Sequence, residues 1–356
     1  MTKFTILTPS ASSFTTDGGG YEYEMEAFGG MDVEIVECNP TEADFIAKAG
    51  TADAVYAKGM QFTQKMIESL TKCRIIALGS VGVDYVDIAA ATSKGIPVTN
   101  CPDTFIEEVA DHAMMLLLAT HRRCIEQDLM VREGRWGEGR AQLLQIPRLM
   151  GQTIGFIGFG RVARATAHRA RAFGLQMMAF DPFVDELTMS GFGVEPASLS
   201  ELLSASDFVS MHLPDTPETR NFLKESHFKQ MKRNAIFITT GRGPTVQESG
   251  LIKALQEGWI AGAGIDVFEV EPTKPDNPLH KMKNVILSPH NASASSRFDP
   301  ARKRRVGQNM FLVLSGRWPL SCVNPSVLNA SGLNRWQPYS MERGPNSYSN
   351  QYVYQK

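Results

Sequence analysis

A glycine turn set between an apolar run and a helical run constrains this chain more than any other feature. Ile154, Phe156 and Ile157 make the apolar run; Gly158, Gly160 and Ala163 follow as G-x-G-x-x-A; Val162, Ala165, Thr166, Arg169, Ala170 and Phe173 then recur at helical spacing. The spacing predicts strand, tight turn, helix. Gly158 permits the turn, Gly160 lets backbone approach a pyrophosphate, and small Ala163 lets helix and strand pack closely, so the helix N-terminus is placed to hold an anion. The next apolar run, residues 175–180, closes on Asp181, which Pro182 and Phe183 follow rather than a base. A carboxylate there accepts hydrogen bonds from a ribose 2′-OH and repels a 2′-phosphate, which predicts NAD(H) over NADP(H).

Apolar runs and helical segments alternate along the rest of the chain. Strands are expected at residues 4–7, 31–38, 53–57, 74–78 and 96–99, with helices at 42–49 (capped by Thr41), 63–70 and 86–93. A long helix at 107–123 leads into a second set. There, strands at 154–157, 175–181, 193–195, 207–213, 235–239, 261–267 and 285–288 alternate with helices, including one that Ser200 caps and one at 248–256. Such alternation predicts parallel sheets covered on both faces. The expected fold class is α/β, with two doubly wound domains: a Rossmann NAD-binding domain at 104–296, inserted in a flavodoxin-like substrate domain made of 1–103 and 297–325. Residues 132–149, rich in Gly and Arg, read as a loop or short-helix connector on the surface. Residues 326–356 read as an extended tail, with Trp336, Tyr339, Tyr348, Tyr352 and Tyr354 able to pin it to a neighbouring subunit.

Charge and cysteine usage exclude several roles. A net charge of −2 gives no general attraction to nucleic acid or to anionic membranes. The five cysteines are scattered and lack a C-x-x-C pair, so no disulfide framework and no metal site are expected, and a cytoplasmic location fits. No run is long and apolar enough to cross a bilayer, so a soluble protein is expected.

Three polar residues stand at expected strand ends: Arg242, Glu271 and His290. Ligands of open parallel sheets bind beyond the carboxyl ends of the strands, where the three would converge. An imidazolium can give a proton to a carbonyl oxygen as hydride arrives, a neighbouring carboxylate favours that charged form, and a guanidinium can grip a substrate carboxylate through two hydrogen bonds.

The motifs Ser80-Val-Gly-Val-Asp84, Gly95-Ile-Pro-Val-Thr99, Glu108-Val-Ala-Asp-His112, the glycine turn, His212-Leu-Pro-Asp-Thr216, Thr240-Gly-Arg-Gly243, Gly264-Ile-Asp-Val-Phe268 and Ser288-Pro-His290 occur in this order. Over residues 33–325 the chain resembles the D-isomer-specific 2-hydroxyacid dehydrogenases, among them phosphoglycerate dehydrogenase, glyoxylate reductase and the C-terminal binding proteins. The resemblance implies hydride transfer between NAD(H) and a 2-oxo acid or D-2-hydroxy acid. His290 would be general acid/base, Glu271 its hydrogen-bond partner, and Arg242 the clamp on the substrate carboxylate. Asp266 would hold the nicotinamide carboxamide. Arg161 and Val162 would meet the pyrophosphate, Leu213, Pro214 and Thr219 the adenosine and its phosphate, and Thr240 with Gly241 the nicotinamide side. Backbone amides at Val81 and Gly82 would bind the substrate carboxylate. The family habit of pairing through cofactor domains implies a homodimer. Two alternatives share the scaffold: an NAD(H)-sensing co-repressor-like protein, and a phosphite- or formate-type dehydrogenase.

Departures from the family pattern add expectations. Leu78 stands where phosphoglycerate dehydrogenases usually carry Arg, which disfavours a phosphorylated substrate. Lys58, at a strand end, is a candidate for an anionic substrate, although a strand-end lysine is ordinarily solvated. His112 reads as a packed or interdomain helix histidine, His212 as structural, and Arg302-Lys-Arg-Arg305 as the exposed face of a helix.

Overall fold

Short runs of Val, Ile, Leu, Ala and Phe build two parallel sheets, as expected of strands covered on both faces. The structure is a computed structural model and describes residues 3–10 and 20–335. The chain divides into two units, Met1–Cys101 with Arg302–Lys356, and Pro102–Ala301.

In the first unit the strands are β1 (Phe4–Pro9), β2 (Val33–Cys38), β3 (Ala54–Ala57), β4 (Ile76–Leu78) and β5 (Val98–Thr99). Their order, β2-β1-β3-β4-β5, is the flavodoxin-like doubly wound arrangement. Leu7, Val55, Ala57, Ile76, Leu78 and Val98 pack with Phe45 and Phe62, whose rings meet edge to face at 5.4 Å. Side-chain caps start its helices: Thr41 accepts from the Asp44 amide, Thr63 from Met66, and Asp87 from Ala90.

The second unit holds β6 (Thr153–Ile157), β7 (Gln176–Phe180), β8 (Glu195–Pro196), β9 (Phe208–Met211), β10 (Ile236–Thr239), β11 (Gly262–Ile265) and β12 (Val285–Leu287). Their order is β12-β11-β10-β9-β6-β7-β8, all parallel. Counted from β6, the first six strands give the Rossmann sequence 3-2-1-4-5-6, and the order reverses between β6 and β9. Helix Ile106–His121 covers one face, packing Ala113, Met114, Leu116 and Leu117 against Ile154, Phe156, Ile236 and Ile238.

Several local expectations need correction. Helix Leu199–Ala205 is capped by Ser198, not Ser200, because Ser198 and Glu201 form a reciprocal capping box. The connector at 132–149 holds one short helix, Trp136–Leu143, as one of its two readings had it; a further helix that was not expected, Cys124–Arg132, precedes it. The presumed tail starts instead with a 3-10 helix, Pro325–Asn329, which buries Val327 and Leu328; the five aromatic tail residues named above lie outside the described residues. The basic run is not a fully exposed face. Arg302 and Lys303 are buried, and Arg302 donates to the Tyr56 hydroxyl at 3.2 Å.

Candidate active site

The glycine turn follows β6 directly. Gly158 has φ +82°, in the left-handed region, and a Cβ there would come within 2.9 Å of the Leu213 side chain. Gly160 caps helix Arg161–Ala172 without any side-chain bond to its first amides, and a Cβ on Gly160 would meet no atom within 4 Å. Those amides stand at the positive end of a twelve-residue helix dipole with no side-chain cap. Ala163 is fully buried beneath them. At the end of β7 the Asp181 carboxylate accepts the Phe159 amide at 2.8 Å and the Phe183 amide at 2.9 Å, which aims it at the glycine turn.

On the other side of the strand-order reversal, Leu213, Pro214 and Thr219 line the loop after β9. The Thr219 hydroxyl donates to the Pro214 carbonyl at 2.6 Å and so holds that loop's shape. Asp215 forms a two-pronged pair with Arg220, at 2.9 and 3.1 Å. After β10, Thr240 is buried with its hydroxyl lacking a hydrogen-bond partner among the described residues. A Cβ on Gly241 would lie 2.9 Å from the Leu213 carbonyl. An open helix N-terminus, an aimed carboxylate and a buried hydroxyl awaiting a partner fit a dinucleotide.

Glu271 and His290 meet, and the charge of Arg242 acts on Glu271. Glu271 Oε2 lies 2.6 Å from His290 Nδ1, while Oε1 accepts the Phe268 amide at 2.8 Å. Burial alone would raise the Glu271 pKa. The His290 hydrogen bond, the Phe268 amide and the charges of His290 and Arg242 outweigh burial and hold it below the usual carboxylate value. The turn that carries Arg242 lies against the Glu271 turn because Gly243 admits close approach: a Cβ there would sit 1.7 Å from the Phe268 carbonyl oxygen. Gly243 is a functional position beyond those expected above, and its place in the T-G-R-G motif is the signal that marks it.

His290 itself has φ +47°, unusual for a residue with a Cβ. Its amide donates to the Asp266 carbonyl at 2.8 Å. The fully buried Asp266 carboxylate accepts Ser288 Oγ at 2.6 Å and the Asn291 and Ala292 amides at 3.1 Å each. Asp266, expected at a carboxamide, thus carries the His290 loop. His212 shares a hydrogen bond with Ser210 Oγ at 2.9 Å, and burial pushes its pKa down to about 4, so it is neutral and structural.

In the first unit, Ser80 Oγ donates to the Gly82 carbonyl at 2.7 Å and Asn100 to the Val81 carbonyl at 2.8 Å, which fixes the loop after β4. Lys58 is not solvated. It is 9% exposed, its Nζ 4.9 Å from the Tyr21 ring centroid and 5.2 Å from that of Tyr56. Leu78 is a core residue of β4.

Residues 114–292 match the profile of the D-isomer specific 2-hydroxyacid dehydrogenase NAD-binding domain. A glyoxylate reductase of Korarchaeum cryptofilum is 42% identical over 84% of this chain and 90% of its own length. The chain belongs to the D-isomer-specific 2-hydroxyacid dehydrogenase family. A second glyoxylate reductase, from Thermococcus litoralis, is 41% identical over 75% of this chain and 82% of its own. An NADPH-dependent glyoxylate/hydroxypyruvate reductase of Sinorhizobium meliloti, solved with NADP and malonate, superposes with TM-score 0.76 at 31% identity, over 94% of this chain and 99% of that one. This family member is therefore an NAD(P)-dependent oxidoreductase that interconverts 2-oxo and 2-hydroxy acids. Among the described residues there is no helix long and apolar enough to cross a membrane and no metal-ligating cluster.

Proposed function

We propose that the protein reduces glyoxylate and other small 2-oxo acids with NADH, with His290 as the general acid. The 2.6 Å contact between His290 Nδ1 and Glu271 Oε2 carries this assignment. It leaves Nε2 as the ring's other proton site, and among the described residues no side chain hydrogen-bonds it. A bound nicotinamide supplies the hydride. Glu271 orients the ring, His290 delivers the proton to the substrate's carbonyl oxygen, and the Arg242 guanidinium grips its carboxylate. In the reverse direction the neutral imidazole takes the hydroxyl proton.

The names of the relatives support glyoxylate, and Asp181 supports NADH over NADPH. In the first unit, the amides of Val81 and Gly82 and the ammonium of Lys58 are the proposed contacts for an anionic substrate group. Exposed Ile125, Leu129, Val131, Trp136 and Leu144 on and beside helices Cys124–Arg132 and Trp136–Leu143 support a homodimer, to be checked by light scattering. Five free thiols support a cytoplasmic setting, to be checked by cell fractionation.

A panel of glyoxylate, hydroxypyruvate, pyruvate and phosphohydroxypyruvate with NADH and NADPH tests the function. The expected result is NADH oxidation with glyoxylate that His290→Ala abolishes. Tight NADH binding without turnover of any acid would assign the co-repressor-like role instead, and NAD reduction by phosphite or formate would assign those donors.

A further inference from the structure

Helix Ile106–His121 grips both ends of the loop that carries His290. His112 Nε2 lies 2.8 Å from Ser288 Oγ, two residues before His290. Glu108 Oε1 accepts Ser295 Oγ at 2.9 Å, five residues after it. Glu108 and His112 stand four apart and so share one face of the helix.

The direction of the hydrogen bonds follows from the chemistry. Ser288 has a single hydroxyl proton, and at 2.6 Å it goes to Asp266 Oδ1. Its oxygen must then accept from His112, so Nε2 is the protonated nitrogen of that ring. His112 Nε2 is also 3.4 Å from Asp266 Oδ1. The chain His112 to Ser288 to Asp266 continues to the amides of Asn291 and Ala292 on the far side of His290. His290 sits between these anchors in the left-handed region, where a residue with a Cβ stays only if its surroundings hold it.

We propose that Glu108 and His112 are positioning residues: acting through Ser295 and Ser288, they hold His290 in the orientation that meets Glu271. The proposal rests on His290 being the acid/base group. Among the described residues neither is hydrogen-bonded to that ring, so they act on it only through Ser295 and Ser288.

The test uses the full-length protein and the variants His112→Phe, His112→Gln, Ser288→Ala and Glu108→Ala. His112→Phe keeps the ring's bulk without the donor, whereas His112→Gln keeps a donor. The expected result is a kcat some tenfold to hundredfold lower in His112→Phe and Ser288→Ala, NADH Kd within about threefold of wild type, and recovery of most of the rate in His112→Gln. Glu108→Ala should lower kcat in the same way, and combining it with His112→Phe should be less than additive in free energy, because both act on one loop. A second readout needs neither cofactor nor substrate: the imidazole 13C and 15N signals of His290 should move towards free-imidazole positions in His112→Phe. Unchanged His290 signals and kcat in His112→Phe would overturn the proposal, as would a fall in melting temperature alone. Were wild type inactive on every 2-oxo acid, the function would be wrong while the His290 signals still decided the clamp.

Discussion

Glu271 spends one carboxylate oxygen on the Phe268 amide and the other on His290, so its orientation is set before any ligand arrives. Replacing Glu271 with Gln keeps the shape and removes the charge. We expect kcat/KM to fall on the order of 10²-fold or more, with NADH affinity unchanged by fluorescence titration. Because the folded-state pKa of Glu271 is lowered, its stabilising contribution is present above the ordinary carboxylate value of 4.5 and is lost as pH falls through the lowered one. Melting curves between pH 7 and pH 3 should show wild type losing, only below about pH 4.5, a contribution that the Gln variant lacks.

Asp181 tests cofactor choice. Its oxygens accept the Phe159 and Phe183 amides, and Asn in its place keeps one such acceptor while removing the charge. The ratio of kcat/KM with NADPH to that with NADH should rise on the order of tenfold, equivalent to about 1.4 kcal/mol. An unchanged ratio would show that the carboxylate does not select the ribose.

The glycine turn separates folding from binding. Gly158→Ala should lose about 1–2 kcal/mol, because an L-residue is forced into the left-handed region against Leu213. Gly160→Ala should fold normally, since its Cβ meets no protein atom, yet bind NADH weakly by filling the place of approach to the helix N-terminus. Urea unfolding together with NADH titration distinguishes the two.

His212 should give the protein an acid-sensitive slope. Its ring is neutral when folded, with a pKa of about 4, and takes a proton near 6.5 when unfolded. Stability is therefore lost as pH falls from about 6.5 to about 4, by about 3 kcal/mol at most. His212→Gln should flatten that part of the pH profile in urea unfolding.

Both sheets were legible because strands buried on both faces read as apolar runs, and the glycine turn marked where a helix begins. Arg242, Glu271 and His290 were legible because the rule for open sheets concerns strand ends. What sequence spacing hid is contact across long separations. His112 meets Ser288 across 176 residues and Glu108 meets Ser295 across 187, and neither helix residue announces its partner. Arg302 was misjudged for the same reason. The Tyr56 hydroxyl that Arg302 meets lies 246 residues away, whereas the Lys58 ammonium lies against the Tyr21 ring, from a distant segment, and the ring of Tyr56, two residues before it.

Gly243 has a wider consequence. With the Phe268 carbonyl where its Cβ would be, the guanidinium-bearing turn and the carboxylate-bearing turn are locked at one spacing. Variants of this protein can retune substrate preference through the side chains around that seam, but the gauge of the seam itself admits an alphabet of one letter.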